Sequence, residues 1–511
     1  MKPSYLIGVD IGTQGTKGVL VDARGRTLAT ALRKSRLARP APGMVEEDPE
    51  FQFRSVCRCI RACTDEAQID PARVAAIAID GQMAGIIGIG RDGLHLTPYD
   101  SWLDTRCAPD IARMKIAAGE EIIRKTGGPP SFNHGPKILW WKREHREVYR
   151  RIVAFVQPGG YAAMRLCELT AAAAFIDTTY LHFSGFADNV RGQWDADLCR
   201  TFGVAAAKLP RIVEPHSVVG RLAAGAAARC GLMAGTPLVA GCGDTAASFL
   251  ACGASREGVC VDVAGTASVF AATTRQFRAD VEHGMLGWGR SATPGLWHPY
   301  AYINGGGMNL DWFACQIAAG AGDLPKKAID QLDRLAARIV PAAEDPMFLP
   351  HLGGRVAPSR PSLRGAWAGM TWSHTAAHLY RAVLEAVALE YCLYRDGLQT
   401  LDPELAIREI RVTGGGQRSA LWNQIKADAL GTKLVRVSRP EGAPLGAALL
   451  AGYGAGLLDD LDAAAQRWIK TRHAVEPDRS LAAHYRSRLA RYRRLLELMD
   501  NWADCAAGAN P

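Results

Sequence analysis

Long apolar runs are missing from this sequence. Apolar stretches among its 511 residues such as Val74 to Ile79 and Ala84 to Ile89 are short and separated by Asp80 and Gln82, and nothing reaches the roughly 20 apolar residues that cross a bilayer. No membrane partner is expected, and the reading is of a soluble protein. Met1 runs almost directly into a strand-like segment, Tyr5 to Val9, without a basic region, apolar core and small-residue cleavage site before it, so no export signal is expected. Cysteine pairs of the C-x-x-C type are also absent. The thirteen cysteines are scattered apart from Cys57, Cys59 and Cys63, and no histidine lies near that group. Structural zinc is therefore not indicated, and reduced thiols in a cytoplasm are the simple expectation. Segregated charge is scarce too. The formal net charge is +9, with bases and acids interleaved except where Arg486, Arg488, Arg491, Arg493 and Arg494 cluster. Leu489, Tyr492, Leu495, Leu496 and Met499 recur among them at helical spacing, which describes a surface helix packed on one side. No groove-reading motif accompanies it, so nucleic acid is not an expected partner.

What is present is ordinary globular composition, 48% hydrophobic and 22% charged, in a chain too long for one core. Two large domains are expected, residues 1–252 and 253–511. Tyr5 to Val9 reads as a strand, Gly12 to Gly15 as a turn and Thr16 to Val21 as a second strand. That is a glycine-rich hairpin, whereas the Walker and dinucleotide loops run from a strand into a helix. Val9-Asp10-Ile11-Gly12-Thr13 is echoed some 250 residues later by Val261-Asp262-Val263-Ala264-Gly265-Thr266. An internal duplication would set two Gly-Thr turns on opposite sides of one cleft, where backbone N–H groups and hydroxyls can hold a polyphosphate.

Other segments deliver polar residues from strand ends. Val74 to Ile79 leads into Asp80-Gly81-Gln82-Met83, and Leu238 to Ala240 into Gly241-Cys242-Gly243-Asp244-Thr245. Asp244 reads either as a proton-accepting carboxylate on a glycine-flanked loop or as the cap of a helix beginning near Thr245. Asp10 reads as a turn aspartate bonded to its own loop or as a carboxylate turned toward a ligand, and the matching Asp262 favours the ligand side. Ile410 to Thr413 enters Gly414-Gly415-Gly416 and then a helix from Ser419 to Leu430, whose N-terminus would favour phosphate. A long helix is predicted over Thr375 to Leu398, and loops at Arg39 to Gly43 and Pro346 to Pro361. Trp102, Asp104 and Arg106 alternate, so an extended segment would aim all three to one side, as a sugar site with a stacked indole requires. A core Trp beside a surface ion pair is the plainer alternative.

The run Gly365-Ala366-Trp367-Ala368-Gly369-Met370, followed after seven residues by His378-Leu379 and then Ala382-Val383-Leu384-Glu385, resembles the second signature of the FGGY family of carbohydrate kinases. The resemblance extends over nearly the whole chain. The first signature region, Phe132 to Glu144, fits only in part: Lys137-Ile138 and Trp140 are in place, while His134 and Trp141 depart from the usual types. Within the family, Asp10, Thr13, Lys17, Gly81-Gln82-Met83, Trp102, Asp104, Arg106, Gly243-Asp244 and Gly414 to Gly416 look most like the xylulokinase group, with Ala84 where that group usually has His. Glycerol kinases have Arg-Glu in place of Met83-Ala84.

This resemblance implies an α/β fold of two actin-like ATPase (ribonuclease H-like) domains around a central cleft, with ATP and Mg²⁺ as cofactors. It implies Asp244 as the base receiving the acceptor hydroxyl's proton and Asp10 holding Mg²⁺, through water. Thr13, Lys17, Gly265 and Thr266 would bracket the triphosphate, and Gly415, Gly416 and Asn423 would approach adenine or ribose. Gln82, Met83, Trp102, Asp104 and Arg106 would bind the sugar, expected to be a ketopentose such as xylulose. Another polyol or a sugar acid is the alternative within the class, and a sugar-responsive regulator or assembly protein the alternative outside it, since one scaffold hosts many functions. A homodimer is left open.

Overall fold

Period-two alternation in the first strand gives it two different apolar faces. In β1 (Tyr5–Gly12), Ile7, Val9 and Ile11 join Leu20, Ile77 and Ile79 beneath helix α1 (Pro49–Ala67), which supplies Phe53, Val56, Ile60 and Cys63. Leu6, one residue out of step, lies on the other face with Val19, Val21, Ala76 and Ala78. A strand buried on both faces belongs in the middle of a sheet covered on both sides. The computed structural model, which describes residues 4–318, 325–438 and 441–508, places it there.

The remaining strands of this sheet are β2 (Gly15–Asp22), β3 (Thr27–Lys34), β4 (Val74–Gly81), β5 (Val218–Arg221) and β6 (Pro237–Val239), in the order β5-β6-β4-β1-β2-β3. β1 pairs antiparallel with β2 and parallel with β4. A second sheet contains β7 (Val259–Ala264), β8 (Ser268–Ala271), β9 (Gly287–Arg290), β10 (Trp297–Ile303), β11 (Glu409–Thr413), β12 (Leu434–Val437) and β13 (Thr471–Val475), in the order β9-β10-β8-β7-β11-β12-β13. Its central strand β7 pairs antiparallel with β8 and parallel with β11. The two sheets thus share one core pattern, a three-stranded meander followed by two parallel strands, as expected of two ribonuclease H-like halves. Among the described residues, no helix is long and apolar enough to cross a membrane.

The chain does not keep its two halves apart. Helix α2 (Asp244–Ala251) follows the first sheet, and helices α3 (Ala376–Leu401), α4 (Ala420–Leu430) and α5 (Ala443–Gly454) come from the second half. Yet α5 packs Leu445, Ala448 and Leu449 onto Leu6, Ala76 and Ala78 of the first sheet, so the segment after residue 442 is shared between the two expected domains. Two glycines make this fit. A β-carbon on Gly8 would lie 1.8 Å from the Pro444 carbonyl oxygen, and one on Gly446 would lie 2.1 Å from that of Ala247.

The predicted helices are present, the long one as Ala376–Leu401 and the later one as Ala420–Leu430. The loop expected over Pro346 to Pro361 contains a short strand, Met347–Leu349, paired with Ala366–Ala368. The basic C-terminal segment is helix α6 (Ala482–Gly508), packed on one side, but Arg488 belongs to the buried side. It meets Glu385 at 2.7 Å and donates to the Asp345 and Pro346 carbonyls. Charge spacing alone did not separate this arginine from its solvated neighbours.

The close crossings yield a prediction. Gly8→Ala and Gly446→Ala force backbone against backbone and should each lower stability by roughly 1–3 kcal/mol. Chemical denaturation measures this, and unchanged midpoints would mean that the halves pack less tightly than described.

Candidate active site

Because β1 and β4 run parallel in register, Asp10 sits opposite Asp80, and alternation sends both side chains to the face that carries Leu6, Ala76 and Ala78. Asp10 also sits opposite Lys17 of β2. Gly241, at φ 74°, turns the chain from β6 toward α2, and a β-carbon there would lie 1.9 Å from the Ile79 carbonyl oxygen. The turn delivers Asp244 as the first residue of α2. Gly243 occupies the cap position and no side chain caps the helix, so the capping reading of Asp244 does not describe this geometry. Its carboxylate accepts from the Thr245 hydroxyl at 3.1 Å.

The three carboxylates share an unusual electrostatic environment. Burial pushes Asp10 above the usual carboxylate range, against the opposing pull of Asp80 and Lys17. Burial and the nearby Asp10 and Asp244 charges hold Asp80 well above it. Asp244 is pushed up to about 7, by burial first and by repulsion from Asp10 second. Among the described residues, none of the three forms a salt bridge; Lys17 acts on Asp10 only through its charge and is exposed.

A hydrogen-bonded chain runs beside them. Trp102 Nε1 donates to Thr13 Oγ1 at 2.7 Å, Thr13 Oγ1 donates to Gln82 Oε1 at 3.3 Å, and Gln82 Nε2 donates to Glu47 Oε1 at 3.0 Å. Met83 lies against Gly243, where a β-carbon would fall 1.8 Å from its sulfur. Its carbonyl accepts from His134 Nε2 at 2.7 Å, and burial pushes that imidazole down to about 4, keeping it neutral. Tyr180 donates to the Gly81 carbonyl and Thr179 Oγ1 accepts from Gly243 N–H, bracing both loops from below.

The alternation of Trp102, Asp104 and Arg106 is not realised as an extended segment. The chain turns there, leaving Trp102 48% exposed and Asp104 fully buried. Asp104 accepts from Val45 N–H at 2.7 Å and from Arg106. Arg106 also reaches Glu46 at 2.6 Å and lies 4.8 Å from the Trp140 ring centre. The donors and acceptors of this pair are thus engaged within the protein, and it braces the loop that presents Trp102.

In the second half, Gly265 and Thr266 form the turn between β7 and β8, and their carbonyls accept from Gly307 and Met308 N–H at 2.9 and 3.1 Å. Gly415 and Gly416 lie in a short 3₁₀ turn after β11, with Gly416 packed so tightly that a β-carbon would lie 2.5 Å from the Trp422 ring. Asn423 is buried and donates to the Gln417 carbonyl at 2.8 Å. Asp262 does not repeat the setting of Asp10. The second hairpin turn has three residues where the first has two, and a one-residue slip reverses the face. Asp262 therefore points to the side of α3 and α4, where it is wholly buried, accepts from Tyr391 at 2.7 Å and pairs with Lys426. It lends no support to a metal-side role for Asp10.

Comparison with known proteins agrees with this arrangement. The N-terminal domain model of the FGGY family of carbohydrate kinases matches residues 5–251, and its C-terminal domain model matches residues 260–455. The chain belongs to the FGGY family of carbohydrate kinases. It is similar to the xylulose kinase of Escherichia coli K12, 29% identical over 96% of this chain and 98% of that one, and to the gluconokinase of Bacillus subtilis 168, 27% identical over 98% and 96%. The structure of a xylulose kinase from Rhodospirillum rubrum superposes with a TM-score of 0.90 at 27% identity, covering 98% of this chain and all of that one. The fold of this FGGY protein is thus the two-domain architecture of its structural neighbours, and its class is that of a sugar kinase.

Metal ions bridge and neutralise the phosphates in many phosphoryl transfers, and the residues present fit a seat for one. Mg²⁺ is typically bound by one or two carboxylates, with water and phosphate oxygens completing the octahedron. Asp10 Oδ1 and both Asp80 oxygens are buried without hydrogen-bond partners. Among the described residues, no three side chains gather as a self-sufficient metal cluster. The sequence alone assigned no site role to Asp80, Glu47, His134 or the Gly305–Gly307 segment that meets the second turn. Only Asp80 carried a visible signal, as a charge ending an otherwise apolar strand.

The buried Asp262–Lys426 pair gives a prediction of its own. Lys426→Met strands a carboxylate in the core and should cost about 3–5 kcal/mol. Adding Asp262→Asn should restore most of that loss. Denaturant titration of the single and double variants measures both, and equal stability of the two would refute the pairing.

Proposed function

We propose that this FGGY kinase transfers the γ-phosphoryl group of ATP to a hydroxyl of a ketopentose such as D-xylulose, with Asp244 as general base. The observation that carries the reading is Asp244 itself. It is uncapped at the start of α2, half-buried, and held near pKa 7 by burial and the Asp10 charge. A base poised near neutrality is what proton abstraction from an alcohol requires. Phosphoryl transfer otherwise asks for positioning and charge neutralisation. Mg²⁺ at Asp10 would neutralise phosphate charge. Thr13, Lys17, Gly265 and Thr266 are assigned to the phosphates, and Gly415, Gly416 and Asn423 to adenosine. Gln82, Met83 and the exposed Trp102 ring line the sugar side, with Asp104 and Arg106 supporting them. Residues 1–252 would carry the sugar site and first phosphate turn, and residues 253–511 the nucleotide site. A sugar acid is the second reading, favoured by similarity to gluconokinases across nearly the whole chain.

Asp244→Asn keeps the shape and removes the proton acceptor, so turnover should fall about 10²- to 10⁴-fold with nucleotide affinity little changed. In the parent, Asp244 is protonated below its pKa and charged above it. Activity should therefore rise with pH as one proton leaves near 7, and the variant should lose that step. Sugar-dependent ADP release across pH measures both; near-parental turnover in a folded variant would remove Asp244 from the mechanism.

Residue 84 gives a separate test of the acceptor. Ala84 is partly buried beside Met83 and leaves room where a larger polar side chain could contact the sugar. Ala84→His should shift kcat/KM among xylulose, other ketoses, polyols and gluconate. Identical preferences in the two proteins would place residue 84 outside the sugar pocket.

A further inference from the structure

We infer that Asp80 and Asp10 together form a two-carboxylate seat for a divalent cation at the ends of β4 and β1; this extends, and rests on, the reading of Asp10 as the metal-side residue. Three observations carry it. In-register pairing sets the two side chains on neighbouring strands and on one face. Asp80 is fully buried and Asp10 6% exposed; three of their four carboxylate oxygens accept from no donor of the protein, and the two carboxyl groups lie within hydrogen-bonding reach of each other. Among the described residues, no Lys or Arg forms a salt bridge with either, and the cross-strand Lys17 is exposed.

Burying two such groups is costly unless positive charge is brought to them. The molecule contains its own comparison. On the opposite face of the second sheet, Asp262 is equally buried, and there the protein supplies a lysine: Lys426 pairs with it, and a Tyr391 hydroxyl satisfies the other oxygen. In β11 the residue in register with Asp262 is the apolar Val412, whereas in β4 the residue in register with Asp10 is a second acid. One site is neutral as built. The other has two acids and no internal cation, the composition of a site completed from outside. Two carboxylates with the remaining positions open to water match the preference of Mg²⁺, and with no third side-chain ligand among the described residues those waters are the positions that phosphate oxygens can later take.

The test uses the whole chain and Mn²⁺ alone as the probe, with bound ion counted by electron paramagnetic resonance and thermal unfolding followed with and without the metal. The parent should bind Mn²⁺, and Asp80→Asn should weaken that binding about 10-fold or more, as should Asp10→Asn. Without metal, Asp80→Asn should melt above the parent, because a buried acid is gone, and Mn²⁺ should raise the melting temperature of the parent but not of the variant. Asp80→Ala, of different shape, should behave alike. Equal Mn²⁺ affinity in parent and Asp80→Asn overturns the seat, and so does a parent that binds no Mn²⁺; either result would leave Asp10 and Asp80 sharing a proton in place of a cation. Sugar-dependent ADP release by the parent, measured in parallel, separates the two conclusions. Turnover without an Asp80 effect on metal defeats the seat alone, and metal binding that depends on Asp80 without sugar-dependent turnover defeats the proposed function alone.

Discussion

The constraint on which the rest of the active end depends is the meeting of three acids, Asp10, Asp80 and Asp244, at the ends of two parallel strands and the start of one helix. Nothing in the apolar packing of the first sheet calls for them. Leu6, Ala76 and Ala78 continue the same face and bury efficiently against α5, and an apolar pair in place of Asp10 and Asp80 would extend that core. Burial, and after it repulsion among the acids, lifts the proton affinities of Asp80 and Asp244, so their ionised forms are unfavourable here until a cation relieves them. Sites of this kind are held by their surroundings. Here the holders are visible: Tyr180 and Thr179 tie the β4 and Gly243 loops together from below.

Much of the architecture was legible because period two and period 3.6 are strong signals. The first hairpin, the long helix over 376–401 and the strand–turn–helix at 409–430 follow directly from spacing. The echo between Asp10 and Asp262 was also legible, but its meaning was not. Both motifs place an aspartate before a Gly-Thr pair, but Asp10 stands two residues before its glycine and Asp262 three, and that one-residue offset along the strand puts Asp262 on the opposite face. Sequence similarity between duplicated halves preserves strand order better than it preserves which face a side chain occupies. Trp102, Asp104 and Arg106 failed for a related reason, since alternation has directional meaning only where the backbone is extended. Arg488 failed because burial of a charge depends on a partner, Glu385, more than a hundred residues away.

The halves are joined by a contact that couples them mechanically. α2 carries Asp244 at its first residue and meets α5 at the Gly446–Ala247 crossing, where backbone touches backbone. α5 in turn lies on the strand that bears Asp10, through Gly8 and Pro444. Interlocked backbone leaves little room for sliding, so relative movement of the halves would take the form of rotation about this crossing. The base and the metal-side acid both lie on the first-half side of it.

Donor counting adds a link between the two ends of the site. Thr13 has one hydroxyl proton, and in this structure it goes to Gln82 Oε1 while Thr13 Oγ1 itself accepts from Trp102 Nε1. A phosphate oxygen at the first turn can take that proton only if Gln82 loses it. Gln82 is fixed at its other end by Glu47, so its amide cannot turn away without breaking a second buried bond. Its Oε1 would then remain in place with an open acceptor position, which a sugar hydroxyl can fill. An amide oxygen has two lone pairs, so on the proposed reading Gln82 Oε1 can accept from a sugar hydroxyl with or without the Thr13 proton, and nucleotide at Thr13 and sugar at Gln82 can bind side by side. Turning the Thr13 proton from Gln82 to a phosphate oxygen then requires no movement larger than the rotation of one hydroxyl.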